Sequence, residues 1–259
     1  MRILRSFCIA LGMYSILPVP KLSWKPQDMR YSLCFLPIVG LLIGLLGLGW
    51  FFLCQWLHIG TVLFACGLTA LPLLLSGGLH FDGYCDTIDA LSSRQPTAQK
   101  LKILQDPHIG TFAVLFAGLY LLLYTGCTTQ LSDNLPAVLL VLCSFVLSRS
   151  LGGFAAVVFP SAKPQGLLQT FQNSAQKYTA ITINIAIFAV TSVAMCSIQW
   201  FISLFALGGA LLTLLYIKRM CRRQFGGITG DIAGYLITLC ELISLIGITF
   251  GSLLERAVF

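Results

Sequence analysis

The sequence predicts an all-α fold, a polytopic transmembrane helical bundle of about seven spans with an interfacial or re-entrant helix at the amino terminus. Three observations predict it. Of the 259 residues, 57% are hydrophobic and only 10% are charged. Soluble domains carry roughly 25% charged residues, so these residues cannot supply the polar shell of a large soluble protein. The charges are also unevenly spread: between Arg30 and Asp82, and again between Lys177 and Lys218, there is no Lys, Arg, Asp or Glu. A spanning helix takes about 20 apolar residues, so each gap holds two spans. Finally, with the amino terminus set on the cytoplasmic side, every Lys and Arg except Arg149 and Arg256 falls on that side, as the positive-inside rule requires.

Taken in order, Met1 to Leu17 joins Arg2 and Arg5 to a short apolar stretch. It resembles a signal peptide, but Pro18-Val19-Pro20 follows in place of a small-x-small cleavage site, and at this length an interfacial or re-entrant helix is expected. The spans are expected at 31–54, 60–79, 110–127, 135–158, 179–197, 200–217 and 231–250. Ser132-Asp133-Asn134 before Pro136 marks a tight turn. The boundary between the fifth and sixth spans has no Gly or Pro, only Ser197, Gln199 and Trp200, yet the uncharged length still calls for two crossings. Cytoplasmic loops 80–109 and 218–230 carry most of the remaining polar residues of a single membrane domain, 1–259. Ten cysteines without a C-x-x-C pair read as reduced packing residues in apolar runs. The net charge of +7 is accounted for by membrane topology, so no nucleic-acid partner is expected. The lipid bilayer is.

The chemistry lies in the acids. Asp82, Asp86, Asp89 and Asp106 fall in the first large loop. In a helix the i, i+4, i+7 spacing of Asp82, Asp86 and Asp89 confines three carboxylates to an arc of roughly 60°. Such a face repels itself unless a cation sits against it, and Mg2+ takes oxygen ligands and bridges carboxylates to phosphates. A solvated acidic face on an interfacial helix is the plainer explanation. Against it stands the position of the cluster, directly after a span and beside Gly77-Gly78, where a ligand or backbone can approach closely. His80 is a softer ligand or proton carrier, and Gly83 lies in the same run. The second group, Arg222-Arg223-Gln224-Phe225-Gly226-Gly227-Ile228-Thr229-Gly230-Asp231, opens the last span. There Asp231, Gly234, Thr238 and Glu241 form one helical stripe. Asp231 is alternatively a favourable first-turn charge, and Glu241 a structurally paired acid. Arg149, inside a span, either pairs with such an acid or binds a phosphate. Asp106 could add to the metal site; His108 reads as a loop residue. Carboxylates, glycine turns and basic residues at one interface are what metal-dependent phosphoryl transfer needs, and no P-loop is present.

The segments GGLHFDGYCDTIDAL (77–91), LQDPHIGTFA (104–113) and GGITGDIAGYLITLCE (226–241), with ILPVP (16–20) and KPQGLL (163–168), resemble the cobalamin synthase, or adenosylcobinamide-GDP ribazoletransferase, family over nearly the whole chain. The resemblance implies that α-ribazole, or its 5′-phosphate, attacks adenosylcobinamide-GDP with release of GMP and with Mg2+ as cofactor. It also implies a multi-pass protein of the bacterial inner membrane with a cytoplasmic active site. Phe81 and Thr238 stand where relatives often have Glu, and Gln105 where a basic residue is usual. These departures concentrate the site on Asp82, Asp86, Asp89 and Asp231. Homo-oligomers and docked pathway enzymes are left open.

Two other functions are weighed. A CDP-alcohol phosphotransferase-like lipid enzyme requires an acid three residues before Asp82, where Leu79 stands. An ion-coupled transporter places ionisable groups near midplane, and only Arg149 and Glu241 meet that description.

Overall fold

The computed structural model describes residues 2–20, 24–163 and 165–258. Lys21, one of the basic residues assigned to the cytoplasmic side, and Pro164, within KPQGLL, lie outside the described residues. The helices are α1 (Arg2–Tyr14), α2 (Pro26–Met29), α3 (Leu36–Trp56), α4 (Thr61–Leu75), α5 (Leu79–Ser92), α6 (Thr97–Ile103), α7 (Thr111–Thr129), α8 (Leu135–Val158), α9 (Leu167–Ser174), α10 (Lys177–Phe225) and α11 (Gly230–Val258), with a 3-10 turn at Ser32–Cys34. Among the described residues there is no strand, only an isolated parallel bridge between Ser161 and Ile228.

Five helices are long and apolar enough to cross a membrane, or six if α4 and α5 are counted as one bent span. The expectation of seven counts the two limbs of α10 separately and treats α4 as a span by itself. In α10 the non-helical backbone of Gln199 divides the element. Gln199 Nε2 donates to Glu255 at the far end of α11, whereas Gln176 N–H donates to the Arg30 carbonyl and Gln224 pairs with Lys100. Both ends of α10 therefore lie at one end of the bundle and its middle at the other. Helix α8 is the hub, with 78% of its apolar window buried against 22% for α7. It starts where expected, because Asn134 Oδ1 accepts the Ala137 N–H at 3.1 Å and Pro136 occupies the first turn. Large apolar side chains such as Leu122, Val190 and Leu212 point outward, a surface suited to lipid tails rather than water.

Three expectations are corrected. The second span does not run to residue 79: α4 stops at Leu75 and the chain turns by 90° into α5. Gly77 and Gly78, at φ +61° and +77°, make that corner, which side chains with a Cβ disfavour. The region 80–109 is not an open loop, since α5 packs along α11. The loop expected at 218–230 shrinks to the turn between Phe225 and Gly230, because Lys218, Arg219, Arg222 and Arg223 continue the helix of α10. The ten cysteines are free thiols.

At 13 residues α1 is about 20 Å long, too short to cross. Arg5 pairs with Asp28 at 3.3 Å, Ser6 Oγ donates to the Asp28 carbonyl at 2.6 Å, and Ile16 N–H donates to the Leu75 carbonyl at 2.9 Å. These contacts seat α1 against the corner between α4 and α5.

Candidate active site

The site is built where α5 meets α11. A Cβ on Gly83 would lie 2.6 Å from the Asp231 carbonyl oxygen, and one on Gly234 would lie 3.0 Å from the His80 carbonyl oxygen. The two helices approach closely enough to touch backbones because both positions lack a side chain. This contact sets Asp82 and Asp86, on α5, beside Asp231 in the first turn of α11. The Asp86 carboxylate feels the negative charges of Asp82, Asp231 and Asp89. Asp231 in turn feels Lys163 and accepts from Thr229 Oγ1 at 3.3 Å. The same Thr229 hydroxyl accepts the Ile232 N–H at 3.2 Å, and so caps α11.

A second close backbone contact delivers Lys163. Ala162 N–H donates to the Ile228 carbonyl at 2.9 Å and Ile228 N–H to the Pro160 carbonyl at 2.8 Å. A Cβ at Gly227 would lie 2.3 Å from the Pro160 oxygen, so this stitch requires glycine. Gly226, at φ +77°, ends α10 in the left-handed conformation. The glycines expected beside the acids, as places for ligand or backbone to approach, thus serve mainly as corners and close-packing points. Gly77, Gly78 and Gly226 turn the chain, and Gly83 and Gly227 admit backbone. Gly230, together with Thr229, faces the cavity described next.

That cavity, about 380 Å³ in volume, opens beside the acids and is enclosed by α1, α5, α8, α9 and α11. His80, Asp82, Asp231 and Lys163 line it, and its apolar wall includes Tyr14, Leu33, Phe171 and Ile237. His80 is 6% exposed, its ring lies against Tyr14 with centroids 6.0 Å apart, and its Nε2 has no hydrogen-bond partner among the described residues. Lys163, Tyr14 and Phe171 were missed by sequence reasoning. KPQGLL was noted as a segment, but nothing in its spacing singled out the lysine.

Other expected residues fall elsewhere. Asp89 accepts the Gly110 N–H at 2.6 Å and the Ala113 N–H at 2.8 Å, so its two oxygens cap the start of α7, where a negative charge is favoured. Asp106 is exposed, and among the described residues its hydrogen bonds go to His108 rather than to the other acids. It accepts the His108 N–H at 3.0 Å and pairs with His108 Nδ1 at 2.8 Å, bonds that hold its carboxyl below the usual carboxylate range. Arg149 forms a buried ion pair with Glu241, to which Ser148 Oγ also donates at 3.1 Å, so of its two readings the structure displays the structural pairing. Arg222 and Arg223 line a separate exposed groove with Lys218 and Arg219. Of the family departures, Phe81 stacks on Tyr84 at 5.6 Å, Gln105 lines the cavity and Thr238 is buried.

As a donor set, Asp82, Asp86 and Asp231 offer oxygen only, the chemistry Mg2+ takes. Among the described residues no three His, Cys, Asp or Glu side chains are already gathered into a metal-holding group. That is compatible with an ion that borrows the rest of its shell from phosphate and water, as Mg2+ does.

Comparison with known proteins now bears on this arrangement. The family described as cobalamin-5-phosphate synthase matches residues 6–249. Proteins named adenosylcobinamide-GDP ribazoletransferase are similar along nearly the full length. That of Lachnoclostridium phytofermentans is 42% identical over 94% of this chain and 93% of its own. The Clostridium perfringens protein is 31% identical over 93% and 96%, and the Treponema denticola protein 32% identical over 92% and 95%. No solved structure matches the chain. With a family match spanning most of its length, the chain belongs to the cobalamin-5-phosphate synthase family.

Proposed function

We propose that the protein transfers the adenosylcobinamide-phosphate group of adenosylcobinamide-GDP to α-ribazole, or to its 5′-phosphate, in the last steps of adenosylcobalamin biosynthesis. The observation that carries this reading is the meeting of Asp82 and Asp231 at one cavity with Lys163 beside them. The names of the relatives supply the substrates. A ribose hydroxyl oxygen of the acceptor attacks the cobinamide-side phosphorus. The new O–P bond forms as the bond from that phosphorus to the bridging oxygen breaks, and GMP leaves with that oxygen. The hydroxyl proton passes to one of the carboxylates at the cavity. Lys163 faces the diphosphate charge, and the backbone contacts of Gly83 and Gly234 hold the carboxylates in place before substrate arrives.

Asp82, Asp86 and Asp231 are the residues that would hold Mg2+, which when bound neutralises diphosphate charge. The site is assigned to the cytoplasmic face of the bacterial inner membrane. In support, Met13 and Tyr14 of α1 line the same cavity as Lys163, while Arg256 lies next to Glu255, which is bonded to Gln199 at the opposite end. No observation favours transport: the two intramembrane ionisable groups that suggested it neutralise each other in the core.

The test is purified protein in lipid nanodiscs with Mg2+, adenosylcobinamide-GDP and α-ribazole. GMP and a cobalamin product appearing in equal amounts are expected. No GMP, under conditions where the Lachnoclostridium relative releases it, overturns the proposal.

A further inference from the structure

Resting on the reaction just proposed, we propose that the cavity is the seat of the acceptor's aromatic base, with His80 Nε2 donating a hydrogen bond to the base's one free ring nitrogen. Three features of the cavity select this occupant.

The first is size. Small-molecule sites run from about 300 to 1,000 Å³, and 380 Å³ sits at the lower end. That is room for a bicyclic base with part of its sugar. A corrin ring bearing its amide side chains does not fit, so the donor's bulk must lie outside, against the mouth.

The second is polarity. The lining combines the apolar side chains of Tyr14, Leu33, Leu36, Phe171 and Ile237 with the polar ones of Gln105, Gln165 and Gln169. The guanine of the donor carries several donors and acceptors on its edge, each of which loses its water partner where it meets the apolar part of that lining. A benzimidazole joined to ribose carries one unsubstituted ring nitrogen and is otherwise apolar.

The third is the orphan. His80 is buried, lines this cavity, and its Nε2 has no hydrogen-bond partner among the described residues. Buried polar atoms are nearly always bonded to something, and in the tautomer that carries the proton on Nε2 the missing partner is an acceptor. In that tautomer the buried His80 nitrogen matches the one free ring nitrogen of the ligand. The sugar is then left at the polar side, where Thr229, Gly230 and Asp231 line the cavity, and its hydroxyl meets the carboxylates. In this arrangement α1 and α9 are the specificity walls: Tyr14 lies against His80, and Phe171 closes the chamber from α9.

The experiment uses the full-length protein in nanodiscs and two acceptors, the ribosides of benzimidazole and of indole, which differ by the ring nitrogen. With wild type, the benzimidazole riboside is expected to have a KM about tenfold lower than the indole riboside, the usual effect of one buried hydrogen bond. His80→Leu is expected to erase that difference by raising only the benzimidazole KM. Ala233→Leu, which fills the cavity from α11, is expected to raise the KM of both acceptors and leave that of adenosylcobinamide-GDP unchanged. Equal KM values for the two ribosides in wild type, or an Ala233→Leu effect on the donor KM alone, would overturn the inference. If wild type releases no GMP with either riboside, the proposed reaction is what fails. Equilibrium binding of the two ribosides alone, without donor, then decides the base assignment separately: a tenfold preference for benzimidazole upholds it and equal binding overturns it.

Discussion

Consider the ion pair at the centre of the bundle. Arg149 and Glu241 have side chains 1% and 4% exposed, and their remaining partners are few. Glu241 accepts from Ser148 Oγ, Arg149 donates to the Phe145 carbonyl at 3.1 Å, and Arg149 Nε has no partner among the described residues. Arg149→Met alone leaves a carboxylate held by one hydroxyl. Glu241→Leu alone leaves a guanidinium in an apolar core. Removing one member of such a pair costs about 3–5 kcal/mol, whereas replacing both with apolar groups of similar size is close to neutral or stabilising by about 1–4 kcal/mol. The expected double-mutant cycle therefore shows two damaging single variants and a double variant, Arg149→Met with Glu241→Leu, near wild type, a coupling of at least about 3 kcal/mol. Unfolding of the four proteins in mixed micelles, followed by circular dichroism, reads the cycle. GMP release by the double variant should retain the wild-type donor KM, because the pair joins helices α8 and α11 and neither residue lines the cavity. Additive single effects, or a folded double variant whose donor KM rises tenfold or more, would refute this reasoning.

Three further outcomes follow from the same geometry. Asp89→Asn takes the charge from the α7 cap and should cost about 1–2 kcal/mol in unfolding experiments, while turnover per folded molecule stays within threefold; a hundredfold loss without destabilisation would assign Asp89 to the chemistry instead. Gly83→Ala places a methyl group 2.6 Å from the Asp231 carbonyl and should destabilise by about 1–3 kcal/mol, with loss of GMP release that Gly83→Ser does not restore. Lys163→Met should lower kcat/KM by about 10- to 100-fold, the range of one hydrogen bond to a charged group, in a steady-state GMP assay with the melting temperature unchanged.

Hydropathy and charge carried most of the architecture, because a bilayer imposes its thickness on composition. The start of α8 was legible from Asn134 and Pro136, which act through their immediate neighbours. The corner at Gly77-Gly78 was visible as a glycine pair but not as a 90° turn, since hydropathy continues smoothly across it. The end of α10 was misplaced for the opposite reason: Lys218 through Arg223 interrupt the apolar run but not the helix. In the site, the α5 acids were found by their helical spacing and Asp231 by its place at a helix start. Asp89 shares the spacing of its neighbours but is engaged by backbone N–H groups 21 and 24 residues away, a contact no local pattern announces. The same holds for Arg149 and Glu241, separated by 92 positions, and for Lys163, which reaches the cavity only through the stitch to Ile228.

In the proposed reaction Asp82, Asp86 and Asp231, brought together by the α5–α11 contact, serve one divalent ion and one transferred phosphoryl group. The most direct measurement is single-turnover GMP release by Asp82→Asn, Asp86→Asn and Asp231→Asn, each titrated with Mg2+ in nanodiscs. All three are expected to remain folded and inserted, and each to lose at least about two orders of magnitude in rate, equivalent to roughly 2.7 kcal/mol, with Mg2+ saturation displaced to higher concentration. Wild-type rates and an unchanged Mg2+ dependence in the three variants would contradict it.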